Sequence, residues 1–186
     1  AKIRPYRDTS PTGKNETSPF NQYPQIPIQH LQDPNAPRDT WITYYKFNIE
    51  MLKIFSNAHP TLTHYEVNSL SKLNPNLHVV TSNIDGLCNG IDTKQLTEIH
   101  GNAFYMHCID EKCNDHQTLI PALPWLDSIK EQPIPIDEFE PPNCSCCGKH
   151  LRFSWTMFGE ELNPNLLNHT NAISRNASLG FFMGTS

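Results

Sequence analysis

Two short cysteine pairs, Cys108-x4-Cys113 and Cys144-x2-Cys147, constrain this chain more than any helix or strand propensity. Pairs separated by about thirty residues fix two turns against each other if their four thiolates meet at one point. The donor set suits tetrahedral zinc, with Zn–S distances near ~2.3 Å. Six cysteines are present, at 88, 108, 113, 144, 146 and 147. Cys146 is an alternative ligand to its neighbours, with Cys144 and Cys147 the better pair, and Gly148 supplies the backbone freedom a knuckle needs. Four thiolates close the coordination shell and leave no position for a metal-bound water. A zinc ion here is structural, and chemistry must come from elsewhere.

At 186 residues the chain can bury a sizeable core, as one domain or as one domain carrying a smaller inserted module. A formal net charge of −5 lacks the basic excess of a nucleic-acid binder, so no direct nucleic-acid partner is expected. No run approaches the length of a membrane span, and Ala1-Lys-Ile-Arg-Pro-Tyr-Arg7 lacks the apolar core of a signal peptide. The expected setting is intracellular, with no membrane partner.

Residues 8 to 38 are rich in Pro, Asn, Ser, Thr and Gln and read as a long loop. From Trp41 to Phe55 the apolar positions Phe47, Met51, Ile54 and Phe55 recur at helical spacing, and His59-Pro60 closes the element. A second helix is expected over Thr63 to Leu73. The run Leu77 to Thr81 reads as a strand buried on both faces, as in a parallel sheet. Its carboxyl end delivers Ser82, Asn83 and Asp85, and such sheets bind ligands at that end. Residues 106 to 150 form an inserted module around the cysteines. Beyond it, Asn163 to Ser174 predicts a helix and Leu179 to Met183 a short strand ending in Gly184, Thr185 and Ser186.

Three stretches then stand in order: Thr81-Ser-Asn-Ile-Asp-Gly-Leu87, Glu98-Ile-His-Gly101, and the cysteine module followed by Leu151-Arg152 and Phe158-Gly-Glu160. This order resembles the sirtuins, NAD-dependent protein deacylases, along the whole chain. Ile3-Arg-Pro-Tyr-Arg7 and Pro60-x3-His64 are similar to further family strings, and His64 reads as a structural helix residue. The resemblance implies an α/β fold, a Rossmann-like parallel-sheet domain with a small zinc-binding and helical module. Residues 1–20, 56–105 and 151–186 would form the NAD-binding domain, 21–55 the helical part of the small domain, and 106–150 the zinc module.

The same resemblance implies NAD as co-substrate beside structural zinc, and an acyl-lysine protein or peptide, histone tails among them, as partner. His100 would be the catalytic base, activating a ribose hydroxyl that takes over the acyl group. Tyr6, Arg7, Ser82, Asn83, Ile84, Asp85, Gly184, Thr185 and Ser186 would hold NAD. Phe158, Gly159 and Glu160 would form the wall along which the peptide lies as an added strand. The expected activity is deacylation, foremost deacetylation, in the nucleus or cytoplasm ahead of the mitochondrion. ADP-ribosyl transfer, NAD hydrolysis and a silent peptide-binding module stay open beside it.

The chain departs from the family strings in places. Ser82 stands where the family has Gln and Pro5 where it has Asp. The glycine-rich string that precedes the family's Ile-Pro-Asp-Phe-Arg, and the later stretches that hold adenine, do not occur in the sequence, which therefore reads as the central part of a catalytic domain. Acid-preferring members carry Tyr-x-x-Arg in the helical insertion, whereas Tyr44 is followed at that spacing by Phe47. A buried succinyl carboxylate would lack its cation, so a neutral acyl group is expected.

Overall fold

The computed structural model describes residues 19–131 and 140–184. Tyr6, Arg7, Thr185 and Ser186 lie outside the described residues. Two short helices, α1 (Pro19–Gln22) and α2 (Ile28–Gln32), precede the long α3 (Arg38–Ser56) and α4 (Leu62–Leu73). Then come β1 (Val79–Thr81), a 3₁₀ turn at Thr93–Gln95, β2 (Leu96–Glu98), β3 (Gly101–Cys108), β4 (Ile120–Pro121), α5 (Ala122–Glu131), β5 (Leu151–Trp155) and α6 (Pro164–Asn176). Strands β1 and β2 pair in parallel, from Val79 opposite Leu96 to Thr81 opposite Glu98. A second, antiparallel sheet has the order β4-β3-β5. Helix and parallel sheet thus occur together, as the α/β expectation required.

Helix α3 is the spine of the core. It follows Pro37, carries Asp39 in its first turn and Lys53 in its last, and so complements the helix dipole at both ends. Tyr45, Leu52 and Asn48 are almost fully buried on it, against β5 residue Phe153. The ring centroids of Tyr45 and Phe153 lie 5.9 Å apart, and those of Tyr45 and Trp125 5.4 Å. Polar tips in this aromatic layer are paired, as burial demands. The Phe153 N–H donates to the Tyr44 hydroxyl at 2.9 Å, and Trp155 Nε1 donates to Asn48 Oδ1 at 2.8 Å.

Helix α4 begins with a capping box in which the Thr61 hydroxyl receives a backbone N–H while the Thr61 N–H donates to His64 Nδ1 at 3.1 Å. His64 is therefore structural, as its sequence position suggests. Below α4, Gln95 Nε2 lies within 3.1 Å of the carbonyls of Ser71, Asn74 and Leu77, pinning the start of β2 to the turn that enters β1.

Three sequence expectations need correction. The loop expected through residue 38 holds α1 and α2, whose Ile28 and Leu31 are buried, because two apolar residues three apart can close a single helical turn onto α3. The β1 strand is not buried on both faces: Val80 is 41 % exposed, β2 being its one partner among the described residues. No strand forms over Leu179 to Met183; those apolar side chains are exposed in irregular chain, since an extended segment becomes a strand only by pairing.

Candidate functional site: the turn after β1 and the His100 turn

Strand β1 ends by releasing Ser82 and Asn83 into solvent, with Ile84 and Asp85 half-buried behind them. Thr81 shapes the exit, its hydroxyl accepting the Asn83 N–H at 3.1 Å. Asp85 Oδ1 accepts the Leu87 N–H at 3.0 Å, an Asx turn that leaves Oδ2 open. Gly86 completes the turn at φ 66°, where a Cβ would meet the Phe104 ring at 2.9 Å. The Ser82 hydroxyl and the Asn83 carboxamide have no hydrogen-bond partner among the described residues. A donor–acceptor amide thus stands uncommitted at the carboxyl end of a parallel strand, where such sheets accept ligands.

His100 sits beside this turn because β1 and β2 run in parallel and end together. The Ile99 N–H reaches Thr81 O at 3.0 Å, and the Ala103 N–H reaches Ile84 O at 3.0 Å. The His100 ring nitrogen Nδ1 lies 3.0 Å from Ser82 O. A carbonyl can only accept, so Nδ1 carries the proton and Nε2 is left as the base. Behind the ring, the Thr156 N–H donates to His100 O at 2.7 Å. Gly101 has φ 77°, and a Cβ there would lie 1.9 Å from Ser154 O, so only glycine lets β3 and β5 close around His100.

On the opposite rim, Arg152 and Glu160 organise the chain after β5. Arg152 Nη1 and Nη2 meet Glu160 Oε1 and Oε2 at 2.7 and 2.9 Å. Glu160 Oε2 also accepts the Met157 N–H at 2.8 Å. Its carboxylate is turned inward, holding the loop, and what faces outward is Phe158, 41 % exposed, and Gly159 at φ 79°. Phe158 also borders an apolar recess lined by Ile26, Tyr44, Phe47, Trp155 and Met157. No cation lines it. Burial pushes the Tyr44 hydroxyl up to about 12, against the pull of Arg152 and of the Phe153 N–H.

The Sγ atoms of Cys108, Cys113, Cys144 and Cys147 lie within 4.8 Å of one another. The Cys108–Cys147 and Cys113–Cys144 separations are 3.4 and 3.8 Å. A zinc tetrahedron with bonds of ~2.3 Å has edges of about 3.8 Å, so the four thiols fit that ion. Backbone N–H groups of Cys147 and Cys146 aimed at Cys144 lower the pKa of its thiol, whereas burial raises that of Cys108 and, with the neighbouring thiols, that of Cys113, so the geometry of the four sulfurs and not their titration carries the metal assignment. Cys146 is exposed and outside the group of four.

With this geometry in view, the relationship to known proteins is direct. A family model described as Sir2 family matches residues 20–186. The chain belongs to the Sir2 family. An NAD-dependent protein deacylase of Leptospira interrogans is 30 % identical to it over 133 residues, covering 72 % of this chain and 48 % of that protein. A solved structure described as the structural basis of sirtuin substrate affinity superposes with TM-score 0.62 at 25 % identity, covering 90 % of this chain and 61 % of the other. A Sir2–p53 peptide–NAD+ complex gives TM-score 0.52 at 26 % identity, over 75 % and 53 %. This Sir2-family chain spans about half the length of the curated relative.

Of the residues singled out in the sequence, the fold brings Ser82, Asn83, Ile84, Asp85 and His100 to one edge and the four cysteines to one point. Gly184 lies apart in the exposed chain after α6, with φ 68° and open space around its Cα. The sequence reading missed Arg152, Glu98 and Asn102 as contributors. The strings Leu151-Arg152 and Glu98-Ile-His-Gly101 contain two of them, but only the structure shows what their side chains hold.

Proposed function

We propose that this chain is part of an NAD-dependent protein-lysine deacylase, with acetyl-lysine the favoured substrate. The observation that carries the reading is the His100 imidazole, whose Nδ1–H is committed to the carbonyl of Ser82, on the turn that also carries Asn83, while Nε2 has no partner among the described residues. A neutral imidazole with one nitrogen unprotonated can act as a general base. NAD, when bound, supplies the ribose acceptor and the nicotinamide leaving group. Asn83 and Asp85 would meet the nicotinamide and ribose, Ile84 would cover the ring, and His100 Nε2 would take the proton of the ribose hydroxyl. Tyr6, Arg7, Gly184, Thr185 and Ser186 would complete the dinucleotide site.

The peptide would lie along Phe158 and Gly159, whose loop is held by Glu160 from behind. Zinc, closed in by four thiolates, would hold the small sheet and take no part in proton transfer. A neutral acyl group suits the recess beside Phe158, because its lining includes Ile26, Tyr44, Phe47, Trp155 and Met157, with Phe47 rather than a cation three residues after Tyr44. A lysine-bearing segment such as a histone tail would be the peptide partner, in the nucleus or cytoplasm, on the ground of the family resemblance.

The test is nicotinamide release from NAD with and without acetyl-lysine and succinyl-lysine peptides, with His100→Ala as control. Release that needs the acetyl peptide and disappears in the variant supports the reading. Release without peptide turns it toward NAD hydrolysis, and preference for succinyl-lysine overturns the neutral-acyl assignment.

A further inference from the structure

His100 occupies the middle of a five-residue stretch whose ends are tied by side chains. Glu98 closes β2, Asn102 is the second residue of β3, and Asn102 Nδ2 donates to Glu98 Oε1 at 2.8 Å. Asn102 Oδ1 accepts the Phe104 N–H at 2.9 Å, which fixes the amide's orientation and leaves its nitrogen for Glu98. The Asn102 carbonyl in turn accepts the Ser154 hydroxyl at 2.9 Å, so the bridge is anchored to β5. A Cβ on Gly86 would lie 3.7 Å from Asn102 Nδ2, which puts the cofactor-facing turn against the same bridge.

The bridge is not an inexpensive one. Burial holds the Glu98 carboxyl above its ordinary range, the Asn102 donor opposes this, and the neighbouring Asp85 adds to it. Cys88 faces the same two carboxyls, and burial with their charge pushes its thiol up as well. An apolar pair would be easier to bury at this place. What the polar bridge supplies is direction: it closes a ring through Ile99, His100 and Gly101 and sets the angle at which the imidazole leaves the backbone.

We propose that Glu98 and Asn102 form a positioning pair for His100, whose bridge keeps Nδ1 on Ser82 O and Nε2 turned toward the substrate. The assignment rests on the reading of His100 as the base. Misplacement of a base by about 1 Å can cost on the order of 10²-fold in rate, so a bridge spanning the base-bearing turn has a direct route to turnover.

The ring itself reports the outcome without turnover. Long-range ¹H–¹⁵N correlation on the zinc-loaded, histidine-labelled chain, assigned with His100→Ala, should show Nδ1 protonated and Nε2 bare. Glu98→Gln keeps an acceptor for Asn102 and should preserve that pattern; Glu98→Ala and Asn102→Ala should move the two nitrogens toward averaged shifts. In peptide-dependent nicotinamide release, Glu98→Ala should lose roughly tenfold in kcat with the peptide KM within about twofold, and Glu98→Gln should recover most of the loss. Retention of the parental ring pattern in a Glu98→Ala or Asn102→Ala chain whose denaturant midpoint shows it folded would overturn the proposal. So would its loss in Glu98→Gln. If Glu98→Ala does not fold, Asn102→Ala carries the test. Absence of nicotinamide release in the parent counts against the deacylase reading alone, because the ring pattern does not depend on it.

Discussion

Arg152 and Glu160 form a two-pronged ion pair, at 2.7 and 2.9 Å, in which the arginine side chain is 6 % exposed and the carboxylate 26 %. Two more of its donors are used: Nη2 also donates to Trp155 O at 2.9 Å and Nε to Phe153 O at 3.2 Å. One side chain thereby holds both the end of β5 and the loop that follows it.

Removing one member of such a pair strands the other charge. Glu160→Ala should destabilise the fold by about 3 kcal/mol, toward the lower end for broken buried pairs because the carboxylate keeps some water contact. Urea unfolding measures it. The same variant frees the Met157 N–H and should raise the KM for acyl peptide more than it lowers kcat; an unchanged KM in a folded variant would detach this loop from peptide binding.

Zinc should bind one per chain. Cobalt substitution should give the thiolate charge-transfer spectrum of a four-sulfur site, and Cys146→Ser should keep both spectrum and stoichiometry while Cys147→Ser loses them. Because metal binding is coupled to folding, with apparent energies of about 10–16 kcal/mol in small zinc modules, chelation should melt the sheet of β3, β4 and β5. A chain that keeps its thermal transition in excess chelator would contradict this.

Gly101→Ala places a methyl group 1.9 Å from a backbone oxygen in a left-handed conformation. A loss of about 3 kcal/mol or more is expected, since backbone rather than a movable side chain must yield. Expression yield and denaturant midpoint read it out. Gly148→Ala, with open space around it, should cost only the strain of its φ of 74°.

Acid should weaken the fold partly through His78. Burial lowers its pKa, His169 beside it lowers it further, with ring centroids 5.4 Å apart, and Nε2 lies 2.8 Å from the Thr97 hydroxyl. The folded state then binds fewer protons than the unfolded chain, so this stability is fully present above the unfolded pKa of ~6.5 and is lost as pH falls below it. His78→Gln should show a smaller decline in urea midpoint from pH 7.5 to 5.5 than the parent, at equal zinc loading. An identical decline would remove His78 as a cause.

Much of the candidate site was legible because its signals are local. The spacing of Cys108, Cys113, Cys144 and Cys147 identifies a four-thiolate cluster without any coordinates, and the structure also chose Cys147 over Cys146. Helix α3 followed from apolar periodicity and from Pro60 beyond its end, signals that act within a few turns, whereas the Thr61–His64 cap that opens α4 was shown by the structure. The run Val79–Thr81 declared a strand by its β-branched residues, but not its exposure, which depends on how many neighbours pack against it.

The sequence by itself determined the zinc knuckles, the long helices, and the order of strings that places the chain in its family. Only the tertiary structure decided that Ser82 O fixes the His100 tautomer, that Glu98 and Asn102 tie the His100 turn, and that Glu160 pairs with Arg152. The physical reason is reach. Periodicity, capping and ligand spacing act within a few residues, whereas a hydrogen bond between residue 82 and residue 100 exists only once β1 and β2 have paired.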